Sequence, residues 1–155
     1  MILVLKIVSG GQTGADRTAL DWAIAHGVPH GGWCPKGRLA EDGAISQRYL
    51  LQETPAADSS QRTEWNARDS DGTVLLSIAP QLTGGSGLTL RLAQILGKPA
   101  LHLCKSSPSL PGPALADFVR SNKIKILNVA GPKASEEPGI VMFVQEVLDA
   151  AFLSL

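Results

Sequence analysis

The chain has 155 residues, 44% of them hydrophobic and 18% charged, and its 14 Lys and Arg balance 14 Asp and Glu. That length supports one domain with a sizeable core, and the composition excludes a disordered chain. Zero net charge without a long basic run excludes general binding to nucleic acid or anionic membranes, and no apolar run approaches the roughly 20 residues of a membrane span.

The chain opens with an apolar stretch, Met1–Val8, that carries Lys6 and runs directly into Ser9-Gly10-Gly11. It has neither a basic leader nor a small-residue cleavage site, so it reads as a strand, Leu3–Val8, and not as a signal peptide. A helix is expected over Ala15–His26, where Ala15, Ala19, Leu20, Ala23 and Ile24 recur at helical spacing, with Gly27 just past its end. Val28–Gly43 is rich in Gly and Pro, with room for a short strand at Gly32–Cys34 and another at Tyr49–Glu53. Glu41-Asp42 is read as a turn. Ser59–Arg68 is a polar helix, and Thr73–Ile78 is a buried strand introduced by the turn Ser70-Asp71-Gly72. A helix over Gly87–Leu96 closes at Gly97-Lys98-Pro99, followed by a strand at Ala100–Cys104. Lys105–Pro113 is a loop within the domain. A helix at Pro113–Ser121, a strand at Ile124–Val129 and a helix at Pro138–Leu153 complete the chain. Strands alternating with helices predict an α/β fold, a three-layer sandwich whose central, mainly parallel sheet is covered on both faces.

Two glycine-rich turns follow strands and open helices. The first is Ser9-Gly10-Gly11-Gln12-Thr13-Gly14-Ala15-Asp16; the second is Thr83-Gly84-Gly85-Ser86-Gly87. Glycine lets the backbone turn sharply and approach a ligand, and free N–H groups at a helix start favour an anion, usually a phosphate. The first turn is neither a Walker loop nor a GxGxxG fingerprint. Asp16 reads either as a ligand contact or as a first-turn carboxylate that stabilises its helix. In a doubly wound sheet, turns at the carboxyl ends of strands converge on a crevice where the strand order reverses, so both are assigned to one anion site. Thr13 and Ser86 are expected to add hydroxyl hydrogen bonds, and Lys36 and Arg38 to add charge. Gly131-Pro132 and Pro138-Gly139 form a third loop at a strand end, suited to closing that crevice or to an oligomer contact. Cys34 reads as a buried small hydrophobe and His102 as a core or edge residue. Trp33 is a core or interface residue, or one that stacks on a ligand ring. No Ser-His-Asp set, no catalytic carboxylate pair and no metal-ligand spacing is found, and the cysteines, Cys34 and Cys104, form no Cys-x-x-Cys pair. Reduced thiols and a cytoplasmic protein are expected.

The run Ile7–Arg17 and the run Gly32-Trp33-Cys34-Pro35-Lys36-Gly37-Arg38 resemble the molybdenum carrier family. So do Arg62-Thr63, Asn66, Ser70–Thr73, Gly97-Lys98-Pro99 and Asn128–Pro132, in the same order. The resemblance covers almost the whole chain. It implies a Rossmann-like fold shared with the Lonely Guy and lysine-decarboxylase-like group, a phosphorylated or oxyanionic ligand such as molybdenum cofactor or a nucleotide, and a homo-oligomer, dimer or tetramer. The site it implies is Gly10, Gly11, Gln12, Thr13, Gly14, Asp16, Lys36, Arg38, Gly84, Gly85, Ser86 and Gly87. The hydrolases of that group carry a PGGxGTxxE loop with a catalytic Glu. Here Thr83 replaces the Pro, Leu88 the Thr, and Arg91 stands where the Glu would be. An arginine cannot act as that carboxylate. A carrier is therefore expected over a nucleotide hydrolase, with a nucleotide-sensing, partner-binding module as the third reading.

Overall fold

The computed structural model describes Val4 and residues 6–153. The first strand, β1 (Lys6–Val8), feeds the first glycine turn and α1 (Ala15–Ala25). The expected strand began at Leu3, but Leu3 and Leu5 lie outside the described residues. The Gly- and Pro-rich stretch becomes five short strands: β2 (His30–Gly31), β3 (Trp33–Cys34), β4 (Leu39–Ala40), β5 (Gly43–Ala44) and β6 (Gln52–Glu53). Then follow α2 (Ser59–Arg68), β7 (Gly72–Ser77), α3 (Gly84–Ile95), β8 (Ala100–Cys104), α4 (Pro111–Ser121), β9 (Ile126–Ala130) and α5 (Ile140–Phe152).

The central sheet has five strands in the order β2-β1-β9-β7-β8, and every pairing in it is parallel. Parallel neighbours need crossover connections, and crossovers keep one hand. The step β1–α1–β2 runs to one edge and β7–α3–β8 to the other, so one hand puts their helices on opposite faces. Accordingly, α1 and α4 pack with α5 on one face, and α2 packs with α3 on the other. The fold is a Rossmann-like three-layer α/β sandwich.

Strand alternation makes the two faces chemically different. Ile7, Val74, Leu76, Leu127 and Val129 point into the main core with α1, α4 and α5, where Leu115, Ile140, Val144 and Leu148 are fully buried. The opposite face of the same strands carries Thr73, Ser77 and Asn128, all buried. The α2–α3 side is thus the polar side of the sheet, and there the carboxyl edge opens. Among the described residues, no helix is long and apolar enough to cross a membrane.

Of the boundaries that differ from expectation, three have a clear physical reason. The expected strand Tyr49–Glu53 shrinks to Gln52–Glu53 because Arg38 draws the preceding backbone around itself. Its guanidinium donates to the carbonyls of Ile45, Ser46, Tyr49 and Leu51 at 2.8–3.3 Å. The expected strand Gly32–Cys34 is reduced to β3, set off from β2 at Gly32, whose φ of +126° turns the chain and whose missing Cβ makes room for Asn66 Oδ1. Helix α3 starts at Gly84, not Gly87. Glycine is a poor helix former, so propensity placed the start too late, yet the glycines form the first turn. The Glu41-Asp42 turn is the tip of the antiparallel hairpin β4–β5.

Candidate functional site

Both glycine turns leave the carboxyl ends of central strands, β1 and β7, which flank β9. One cavity of about 200 Å³ lies there on the polar face. The first turn supplies Gly10, Gln12 and Asp16; the second supplies Gly85 and Ser86. Asn128 and Ala130 of β9 line it as well, together with Gly131, Lys133 and Glu136 from the loop that follows. The expected third loop is thus a wall of this cavity. Helix α2 contributes Ser59, Arg62, Thr63 and Asn66. Their spacing of three and four residues puts all four on one helix face, and Arg62, Thr63 and Asn66 are among the residues that carry the family resemblance.

The two turns differ in what their N–H groups do. In the first, the Gln12 N–H donates to the Asp16 carboxylate at 3.4 Å and the Thr13 N–H to the Gln12 side chain at 3.0 Å. The Ala15 N–H goes to the Pro132 carbonyl and the Arg17 N–H to the Gln12 carbonyl. The anion held by this turn is its own: Asp16, 8% exposed, with Arg62 Nη1 at 3.7 Å. Burial raises the Asp16 pKa to about 6, against the pull of Arg62 and of the Gln12 and Gly10 backbone. Gly14 (φ +81°) and Gly11 (φ +80°) are needed for packing. A Cβ on Gly14 would stand 2.5 Å from the Pro132 carbonyl oxygen, and one on Gly11 2.6 Å from a Leu51 methyl.

The second turn is open. Thr83, the residue before α3, makes no side-chain cap, and the N–H groups of Gly84, Gly85 and Ser86 have no hydrogen-bond acceptor among the described residues. A Cβ on Gly85 would meet no protein atom within 4 Å, and Gly85 lines the cavity. Gly84 also has free space around it, at φ +53°, and Gly87 has only loose neighbours in Arg91 and Leu82. Ser86 is 8% exposed and lines the cavity.

The cations at the cavity are not those the sequence suggested. Arg38 is fully engaged with backbone carbonyls in the β4–β6 region, and neither Arg38 nor Lys36 lines the cavity. Arg62, which also donates to the Gly10 carbonyl at 2.9 Å, and Lys133 take that place. Thr13 is likewise turned away: its hydroxyl donates to Glu41 and accepts from the Ala134 N–H at 3.1 Å. Glu41 also accepts from Ser135, and these hydroxyl donors hold its carboxyl below the usual range. The hairpin tip thereby ties the first turn to the loop that carries Lys133. Trp33 packs edge-on against Trp65 and donates its indole N–H to Asp69 at 2.8 Å, outside the cavity. Cys34 is buried with Leu20, Ile45, Tyr49 and Leu51. A Ser–His contact that sequence spacing did not reveal joins Ser77 Oγ and His102 Nε2 at 2.7 Å. The Ser77 hydroxyl donates to the Ala79 carbonyl, so it accepts from the ring and is not a primed nucleophile. Among the described residues, no cluster of His, Cys, Asp or Glu is suited to hold a metal ion.

A parallel three-layer sheet with a cavity where its strand order reverses defines a Rossmann-like protein. The chain belongs, more particularly, to the circularly permutated YpsA SLOG family, which it matches over residues 7–152. It is also similar to a solved structure, the "putative molybdenum carrier protein" of Syntrophus aciditrophicus SB. The two are 46% identical, with a TM-score of 0.91 over 97% of this chain and 96% of the other. The chain is therefore a member of a molybdenum carrier-like family. No curated protein matches it.

Proposed function

We propose that the protein binds a phosphate-bearing or oxyanionic small molecule in this cavity and serves as a carrier, with molybdenum cofactor or a nucleotide as the ligand. The observation that supports this most is the open amino end of α3, where Gly85 leaves a space that any side chain would fill and the N–H groups lack a cap. A helix start of this kind favours an anion. The residues present suit the phosphate of a pterin cofactor: Ser86 and the α3 amides would hold it, with Lys133 and Arg62 on the facing walls. No thiol lines the cavity to select molybdenum itself. The solved relative, called a molybdenum carrier, adds weight to that cargo.

The test is calorimetric titration of the full chain with molybdenum cofactor, molybdate, AMP and inorganic phosphate. Native mass spectrometry of whatever co-purifies would run beside it. Saturable binding of one ligand per chain, without turnover, is expected; no binding by any of the four would overturn the proposal. Gel filtration would report the dimer or tetramer that belongs to the same proposal.

One observation favours a second reading, a nucleotide hydrolase. Asp16 lines the cavity with a pKa of about 6, close to what general acid–base chemistry uses. Release of free base from AMP would establish that reading over the carrier.

A further inference from the structure

The β4–β5 hairpin stands apart from the central sheet, yet its tip is bound to the first glycine turn at two places. The Glu41 N–H donates to Gln12 Oε1 at 2.9 Å. Asp42 accepts from Arg17 Nη1 at 2.5 Å, and Arg17 Nη2 donates to the Gly11 carbonyl at 3.0 Å. The Glu41 carboxylate then reaches past the turn to the loop after β9. One of its oxygens accepts from the Thr13 hydroxyl and from the Ser135 N–H at 3.2 Å; the other accepts from the Ser135 hydroxyl at 2.5 Å. Thr13 Oγ1 in turn accepts from the Ala134 N–H at 3.1 Å, which makes it a relay between carboxylate and loop. The Ser135 and Thr13 hydroxyls hold the Glu41 carboxyl below its usual range, so at neutral pH it is ionised and an acceptor only.

That loop carries one wall of the cavity through Gly131, Lys133 and Glu136. Its far end is fixed by Glu137, whose carboxylate accepts from the N–H groups of Ile78 and Ala79 at 2.7 and 3.0 Å, just past β7. Its near end is held where the Pro132 carbonyl accepts from the Ala15 N–H. Between these points, Ala134 and Ser135 find hydrogen-bond partners among the described residues only in Thr13 and Glu41. The ion pair of Lys133 with Glu136, at 4.0 Å, lies within the loop and ties neither residue to the sheet. Lysine is a flexible point charge, and its place is no better defined than the backbone that bears it.

We propose that Glu41 is a positioning residue of the cavity: the hairpin is a strap over the first turn, and the carboxylate at its tip sets the place of Lys133 on the cavity wall. This rests on the anion-binding reading above. It gives Thr13 a role other than the expected one, since its hydroxyl holds the loop and not the ligand.

The experiment joins calorimetric titration of the full chain at pH 7.5, with AMP and inorganic phosphate as probes, to amide hydrogen exchange. The variants are Glu41→Ala, Glu41→Gln, Lys133→Ala and the double variant Glu41→Ala with Lys133→Ala, each verified as folded by urea unfolding. In Glu41→Ala the Ala134 and Ser135 amides should exchange at least about tenfold faster, while those of Val74 and Leu127 in the central sheet keep their rates. Both probes should bind about tenfold more weakly. Glu41→Gln keeps one acceptor oxygen and should recover part of both losses. In the double variant, Glu41→Ala should add nothing to the loss caused by Lys133→Ala, a result that a merely structural role would not give. Unchanged affinity in Glu41→Ala or in Lys133→Ala, unchanged exchange at Ala134 and Ser135, or losses that add in the double variant would overturn this inference and leave the anion-binding reading standing. If the wild-type chain binds neither probe, that reading falls and this inference with it.

Discussion

The two glycine turns look alike in sequence and do opposite jobs. Both follow central strands and open helices, but the Gly10–Asp16 turn closes its N–H groups on groups of its own protein, Asp16 foremost. The Thr83–Gly87 turn leaves its donors without a side-chain cap, and its Gly85 and Ser86 line the same cavity. In the first, glycine is required because protein atoms crowd in; in the second, the space beyond glycine is open. A glycine motif therefore marks a close approach without saying what approaches.

The sharpest way to break this comparison is to add the same methyl group to each turn. Gly14→Ala forces φ +81° on an alanine and drives its Cβ to 2.5 Å from backbone, so it should destabilise the fold by about 3 kcal/mol or more in urea unfolding. A Gly14→Ala protein of wild-type stability would contradict the closed first turn. Arg38→Met should destabilise by about 2–3 kcal/mol, since the segment 45–51 loses the cation that gathers its carbonyls. Ligand affinity should not change, and a loss in the folded variant would return Arg38 to the site.

Asp16→Asn should make the protein more stable at pH 7 by about 1–3 kcal/mol. The folded-state pKa of about 6 lies above the ordinary carboxyl value of 3.8, so folding favours the protonated acid. The Asp16 contribution is fully present below about pH 4 and is lost as the pH rises through 6. Thermal melts across pH 3–8 should show the advantage of the asparagine vanish at the acid end; an advantage constant with pH would refute the buried carboxylate. Gly85→Ala should have the smallest effect on stability, a gain of about 0.5–1 kcal/mol from the helical alanine, together with weaker binding of AMP. Unchanged AMP affinity would mean that nothing approaches this turn.

Much of the fold was legible because helix and strand periods differ and buried parallel strands are continuous in apolar residues. Helix α2 and strand β8 begin and end where the sequence suggests. The carboxyl-end location of both turns was legible too. What sequence could not convey was pairing across distance. Arg38 and Arg62 are both arginines near glycine motifs, and only the fold tells that one holds backbone while the other lines the cavity. Lys133 and Asn128 lie more than a hundred residues from Gly10, and no local period links them. The hairpin β4–β5 escaped notice because two-residue strands leave no alternation to read.

The central claim is that the anion sits on the second turn and not on the first. Amide chemical-shift mapping of the labelled protein titrated with AMP tests it most directly. The largest shifts should fall on Gly85 and Ser86, with those of Gln12, Thr13 and Ala15 small because their N–H groups already have partners. Dominant shifts at Gln12–Ala15 with Gly85 and Ser86 unmoved would contradict it.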